Sequence, residues 1–185
     1  MRGYHGRKAA PGAIITSIAL VLIAACSGGG GDLVLGDDIE GFHLGERLGD
    51  FKKRVGTSVP WTEIQGSPYD RRGTLLAVTG TPSGSREIEM SRLTFFEDRL
   101  MEIVLYYKRN TYSQLETLRD RLVERYGIEP TSPDGSIEMA YKTYWFNLPD
   151  MSITIRRITK KPETELYVQY QHRELLRRMK EKAGR

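Results

Sequence analysis

Apolar and polar positions along this chain switch between two periods, and the switches mark its elements. Leu48, Phe51 and Val55 recur at helical spacing and predict a helix over residues 45–55, stopped by Gly56. Gly49 inside that helix weakens it by about 1 kcal/mol relative to alanine. Residues 61–64, which open on Trp61, read as a short strand. Gln65-Gly66-Ser67-Pro68 follows as a turn. Residues 74–79 read as a strand, and residues 80–85, rich in Gly, Pro and Ser, as a loop.

The period then stays at two. Leu93 and Phe95 share one face of a strand over residues 88–96. Met101, Ile103 and Leu105 share one face of its return over residues 100–107, and Glu97-Asp98 turns between them. After this hairpin Leu115, Leu118, Leu122, Val123 and Tyr126 make one helical face. Ser113 and Glu116 fit a capping box at its start, Gly127 ends it, and Pro130 keeps it from resuming. Arg119 and Arg121 fall on its solvent side. Three strands follow over residues 139–146, 151–158 and 165–171, with Leu148-Pro149-Asp150 turning between the first two. Leu166, Val168 and Tyr170 alternate with polar residues, which implies one solvated face. A basic helix over residues 173–182 closes the chain, with Leu175, Leu176 and Met179 as its contacts.

This order predicts an α+β fold, an antiparallel sheet with helices packed on it. Helix, glycine and about three strands occur twice, marked by Val55-Gly56 and Tyr126-Gly127, which suggests a tandem repeat of roughly 70 residues. The fragments Phe42-His43-Leu44-Gly45 and Phe95-Phe96-Glu97-Asp98-Arg99-Leu100 resemble small envelope domains of the β-lactamase-inhibitor-protein kind. The resemblance spans residues 41–171. It implies a helical segment on an antiparallel sheet, sometimes in tandem, and carries over none of that family's binding residues.

Ahead of the domain, Arg2, Arg7 and Lys8 precede an apolar run over residues 13–25. That is the layout of a signal peptide, and the run is short of the roughly 20 residues a membrane span needs. Leu22-Ile23-Ala24-Ala25-Cys26 resembles the lipobox of bacterial lipoproteins. The resemblance implies cleavage before Cys26 and a diacylglyceryl thioether on its sulfur, often with an N-acyl chain. Two or three such chains hold a protein stably on a membrane. By analogy with enteric bacteria, Ser27 favours the outer membrane, with the domain facing the periplasm. The expected layout is a signal peptide over residues 1–25, a lipidated cysteine and Gly-rich tether over 26–36, and a globular domain over 37–185. Ten flexible residues average about 17 Å end to end and stretch to about 35 Å.

That reading changes the charge. The formal net charge is +4, but the segment before Cys26 holds three basic residues and no acid, so residues 26–185 carry +1. A nucleic-acid partner loses its electrostatic support. Residues 156–185 carry +6 and residues 27–155 carry −5, an asymmetry suited to an anionic surface or to a solvated terminal helix. Cys26 is the only cysteine, so no disulfide forms within the chain and packing alone holds the fold.

Catalytic signatures do not emerge. His43 and His172 lie near opposite ends of the domain, and neither the elbow, the phosphate loop nor the zinc helix motif occurs. Asp37-Asp38-Glu40 lacks calcium-loop spacing and reads as a solvated linker end. No catalytic residue, metal or cofactor is assigned. Aromatic residues crowd two strands, Tyr106-Tyr107 in one and Tyr141, Tyr144, Trp145 and Phe146 in another. Alternation puts Tyr144 and Phe146 on one face and Thr143 and Trp145 on the other. One of these sets faces away from the core, which makes Tyr144, Trp145 and Phe146 the candidate partner-binding residues. The resulting reading is a non-catalytic membrane-anchored lipoprotein that binds another envelope protein. The alternative is a lipid or small-ligand binder, and a third is an envelope hydrolase.

Overall fold

The strand-forming runs pair edge to edge in a computed structural model that describes residues 33–55, 62–64, 75–80, 85–132, 141–160 and 163–184. In chain order its elements are α1 (Leu48–Val55), β1 (Thr62–Ile64), β2 (Leu75–Gly80), β3 (Ile88–Phe96) and β4 (Arg99–Tyr107). They continue with α2 (Tyr112–Tyr126), β5 (Tyr141–Asn147), β6 (Met151–Lys160), β7 (Glu163–His172) and α3 (Arg173–Ala183). The fold is α+β, as the pattern predicts. The signal-peptide-like run, Cys26, residues 27–32, Gly56, Trp61 and the turn at 65–68 lie outside the described residues.

Among the described residues the strands make one open antiparallel sheet of seven, in the order β1-β2-β3-β4-β7-β6-β5. The first four strands form a meander. The chain then passes through α2 to the far edge and returns through β5, β6 and β7 until β7 pairs with β4, Ile103 opposite Tyr170 and Leu105 opposite Val168. The two halves are unequal, a helix with four strands followed by a helix with three.

Parity along the strands decides what is buried, since successive side chains leave opposite faces of a sheet. Leu93, Phe95, Ile103, Leu105, Ile153, Ile155, Val168 and Tyr170 leave one face and join Phe51 of α1 and Leu115, Leu118 and Leu122 of α2 in the main core. A smaller cluster lies on the other face at one end, where Leu175, Leu176 and Met179 of α3 pack with Phe96, Met101 and Leu33.

Local chemistry explains the boundaries. Glu97 and Asp98 both take positive φ, as a two-residue hairpin turn with the right twist requires. Gly127 ends α2 in the left-handed region, its N–H bonded to Val123 O. The cap of α2 differs from expectation. Thr111 is the N-cap, and its hydroxyl accepts the Gln114 N–H at 3.2 Å. Ser113 lies inside the helix, where its carbonyl accepts from Thr117 Oγ1 at 2.8 Å. Thr111-Tyr112-Ser113-Gln114 has the same box spacing and starts at the last residue with extended dihedrals, so it wins.

The first helix also begins later than predicted, at Leu48 rather than residue 45. Gly45 has a φ of +85°, and a Cβ there would collide with the Leu33 carbonyl. The acidic run before it is a closed turn, not a loose linker. Ile39 and Phe42 bridge, Asp38 Oδ1 accepts the Gly41 N–H at 2.6 Å, and Asp37 pairs with Arg125 at 3.5 Å.

Candidate functional site

Sheet register builds the candidate site, because every strand of the two meanders sends its alternate residues to the face away from α2. Across it run Thr94 opposite Glu102, Glu102 opposite Gln171, Val104 opposite Gln169 and Tyr106 opposite Tyr167. The rows continue with Thr154 opposite Gln169 and Trp145 opposite Thr154. Among the described residues only α3 packs on this face, at the end held by Phe96 and Met101. The rest is open.

Glu102 is the centre of a polar cluster there. Its carboxylate accepts from Gln169 Nε2 at 2.6 Å, Gln171 Nε2 at 2.9 Å and Thr94 Oγ1 at 3.4 Å, with Arg92 Nη2 at 3.6 Å. Alternation along three strands brings these groups together, Thr94 and Arg92 from β3 and Gln169 and Gln171 from β7 around Glu102 of β4. Beside them the Tyr106 and Tyr167 rings meet at 5.8 Å, and burial raises the Tyr106 phenol above its ordinary range.

Towards the β5 edge the face becomes aromatic. Trp145 is 42% exposed and Tyr141 40% exposed. The Arg156 guanidinium lies 5.3 Å from the centre of the Tyr141 ring, an attractive arrangement between a cation and a π face. The backbone beneath Trp145 is fixed. Its N–H and carbonyl both bond Thr131, at 2.8 and 2.9 Å, so the segment after α2 closes part of the β5 edge. The strand beneath Trp145 is thus paired on both sides with the side chain part-exposed, an arrangement in which a large aromatic binds a partner with little loss of freedom.

The other two candidate binding residues are core. Phe146 has no exposed surface, and Tyr144 is 8% exposed. Both leave the sheet towards α2. The Tyr144 hydroxyl donates to Glu116 Oε1 at 2.8 Å, and Arg119 stacks 5.5 Å from its ring centre. Burial, and then the bond to Glu116, raise the Tyr144 phenol. Arg119 is thus a bracket between α2 and β5 rather than a bare surface position, whereas Arg121 makes an exposed pair with Glu87 at 2.9 Å.

The histidines stay apart. His43 is half-buried in the segment before α1. His172 is buried at the end of β7, where its Nε2 faces the Leu33 carbonyl at 2.8 Å. A carbonyl only accepts, so Nε2 carries the proton. Among the described residues no three His, Cys, Asp or Glu side chains gather as metal ligands, and no helix is long and apolar enough to cross a membrane.

Sequence reasoning finds Trp145 through alternation. It misses Tyr141 as part of the exposed set, and it misses the cluster of Glu102, Gln169 and Gln171. The polar alternation of each strand is visible in the sequence, but the pairing of β4 with β7 that joins them is not. No protein-family model matches the chain, and neither a curated protein nor a solved structure matches it.

Proposed function

We propose that this chain is a lipid-anchored, non-catalytic module of the bacterial cell envelope that binds another envelope protein through the open face of its sheet. The observation that carries the reading is the exposed pair Trp145 and Tyr141 on a strand paired on both sides, on the same sheet face as a hydrogen-bonded cluster centred on Glu102. Aromatic anchors ringed by polar groups are the usual composition of a protein interface. The lipobox-like run ending at Cys26 supports the anchor, and Ser27 supports the outer membrane with the domain facing the periplasm.

Two variants and one mass test this. Intact-mass analysis of the mature protein gives a chain beginning at a diacylated Cys26, and Cys26→Ala frees the protein from membranes or leaves it unprocessed. Trp145→Ala leaves the unfolding free energy from urea melts within about 0.5 kcal/mol of the parent, as an exposed substitution does. The same variant loses a partner that co-purifies with the parent from detergent-solubilised membranes. An unmodified Cys26 ends the anchoring reading. A Trp145→Ala protein that unfolds, or that keeps its partner, ends the binding reading.

A further inference from the structure

The chain enters the described domain beside α3. Leu33 packs with Leu175, Leu176 and Met179, and its carbonyl accepts a hydrogen bond from His172 Nε2. Leu33 lies seven positions after Cys26, and a chain of that length spans at most about 25 Å. Val34, the next residue, points outward and is 41% exposed. The apolar residues of α3 are already used against the sheet, so its outer surface is charged. The helix carries five basic and two acidic residues, a net +3. Glu174 and Glu181 each pair with Arg177, Glu174 also takes Arg178, and Glu97 takes Lys182. These are exposed pairs and hold their partners weakly.

We propose that the outer face of α3, together with Val34, rests on the anionic headgroups of the membrane that holds the lipid on Cys26. That this is the anchoring membrane rests on the reading above. The short tether holds this side of the domain near the headgroups, and the basic residues then meet the negative surface potential of an anionic leaflet. Val34 supplies an apolar tip for the headgroup boundary. The domain is thereby oriented. α2, on the other face of the sheet, turns away from the membrane, and the face that carries α3 and Trp145 turns towards it, so a partner meets Trp145 at the bilayer surface.

The test uses the lipidated protein in vesicles of phosphatidylcholine alone or mixed with phosphatidylglycerol. Because Cys26 is the only cysteine and is lipidated, Ala183→Cys or Thr117→Cys gives one free thiol for a fluorophore, the first on α3 and the second on α2. A headgroup-attached quencher reads proximity. The expected result is several-fold stronger quenching at 183 than at 117 in the anionic vesicles. That quenching is lost in phosphatidylcholine alone. It is also lost at 1 M salt, where the screening length falls to about 3 Å. Combining Arg178→Glu with Lys180→Glu removes it as well. Equal quenching at the two positions, or quenching indifferent to lipid charge and to the double reversal, overturns the proposal. Intact mass of the same preparation reports the anchor separately. If Cys26 carries no lipid, sedimentation with the anionic vesicles that the double reversal abolishes keeps the α3 contact while the anchor falls. Sedimentation that the reversal leaves unchanged overturns both.

Discussion

Two glycines separated by four positions have opposite roles. Gly45 has a φ of +85° and the Leu33 backbone against its α-carbon, so any side chain there is both strained and obstructed. Gly45→Ala destabilises by at least about 2–3 kcal/mol, the sum of a left-handed penalty and displacement of the Leu33 backbone. Gly49 lies in α1 with ordinary helical dihedrals and open space at its Cβ position. Gly49→Ala therefore stabilises, by up to about 1 kcal/mol, through helix propensity alone. Urea melts of the two variants check the pair. The sequence shows both as glycines near a helix start, and the backbone conformation and the approach of Leu33 tell them apart. Trp145 was legible for the opposite reason. Strand parity is local, so the division of Tyr144 and Phe146 from Trp145 follows from the chain itself, and only the choice of exposed side needs the helix positions.

At the scale of elements, α2 holds the main core in place. Leu122 is buried in the main cluster with Leu115 and Leu118, so Leu122→Ala costs about 2–5 kcal/mol. Thr111→Ala costs about 1 kcal/mol, because it leaves the Gln114 N–H without its cap. Ser113→Ala costs a few tenths at most, since Ser113 uses its carbonyl and not its hydroxyl in the recorded bond. Thermal or urea melts rank the three. A larger loss at Ser113 than at Thr111 contradicts the cap assignment. The strands and helices were readable from periodicity because each has one buried face. The cap was misread because two boxes overlap by two residues, and backbone dihedrals, not composition, choose between them.

The whole molecule adds what no single element specifies, the joining of two meanders at β4 and β7. That pairing places Tyr170 beside Ile103 and seals both tyrosines, Tyr107 and Tyr170, in the main core. Burial pushes both phenols well above their ordinary range. In the unfolded chain they ionise near pH 10, whereas the folded chain keeps them protonated. The unfolded state thus loses protons first as pH rises. The stability contribution is full below about pH 10 and falls above it. Urea midpoints decline from about pH 9.5 upward, and Tyr170→Phe makes that decline shallower. A flat alkaline profile in the parent contradicts the burial of both rings. The same long-range pairing assembles the polar cluster of the open face from β3, β4 and β7, which is why the cluster was invisible in the sequence while its members were not.

The central claim is that the open sheet face meets a protein partner at Trp145, and site-specific photo-crosslinking in intact cells tests it most directly. A benzophenone side chain is placed at position 154, opposite Trp145 on the same face, at position 141, and at position 117 on α2. The account predicts one discrete adduct of the same mass from 154 and 141 and none from 117. Adducts from 117 alone, equal labelling at all three positions, or no protein adduct at 154 and 141 would contradict it.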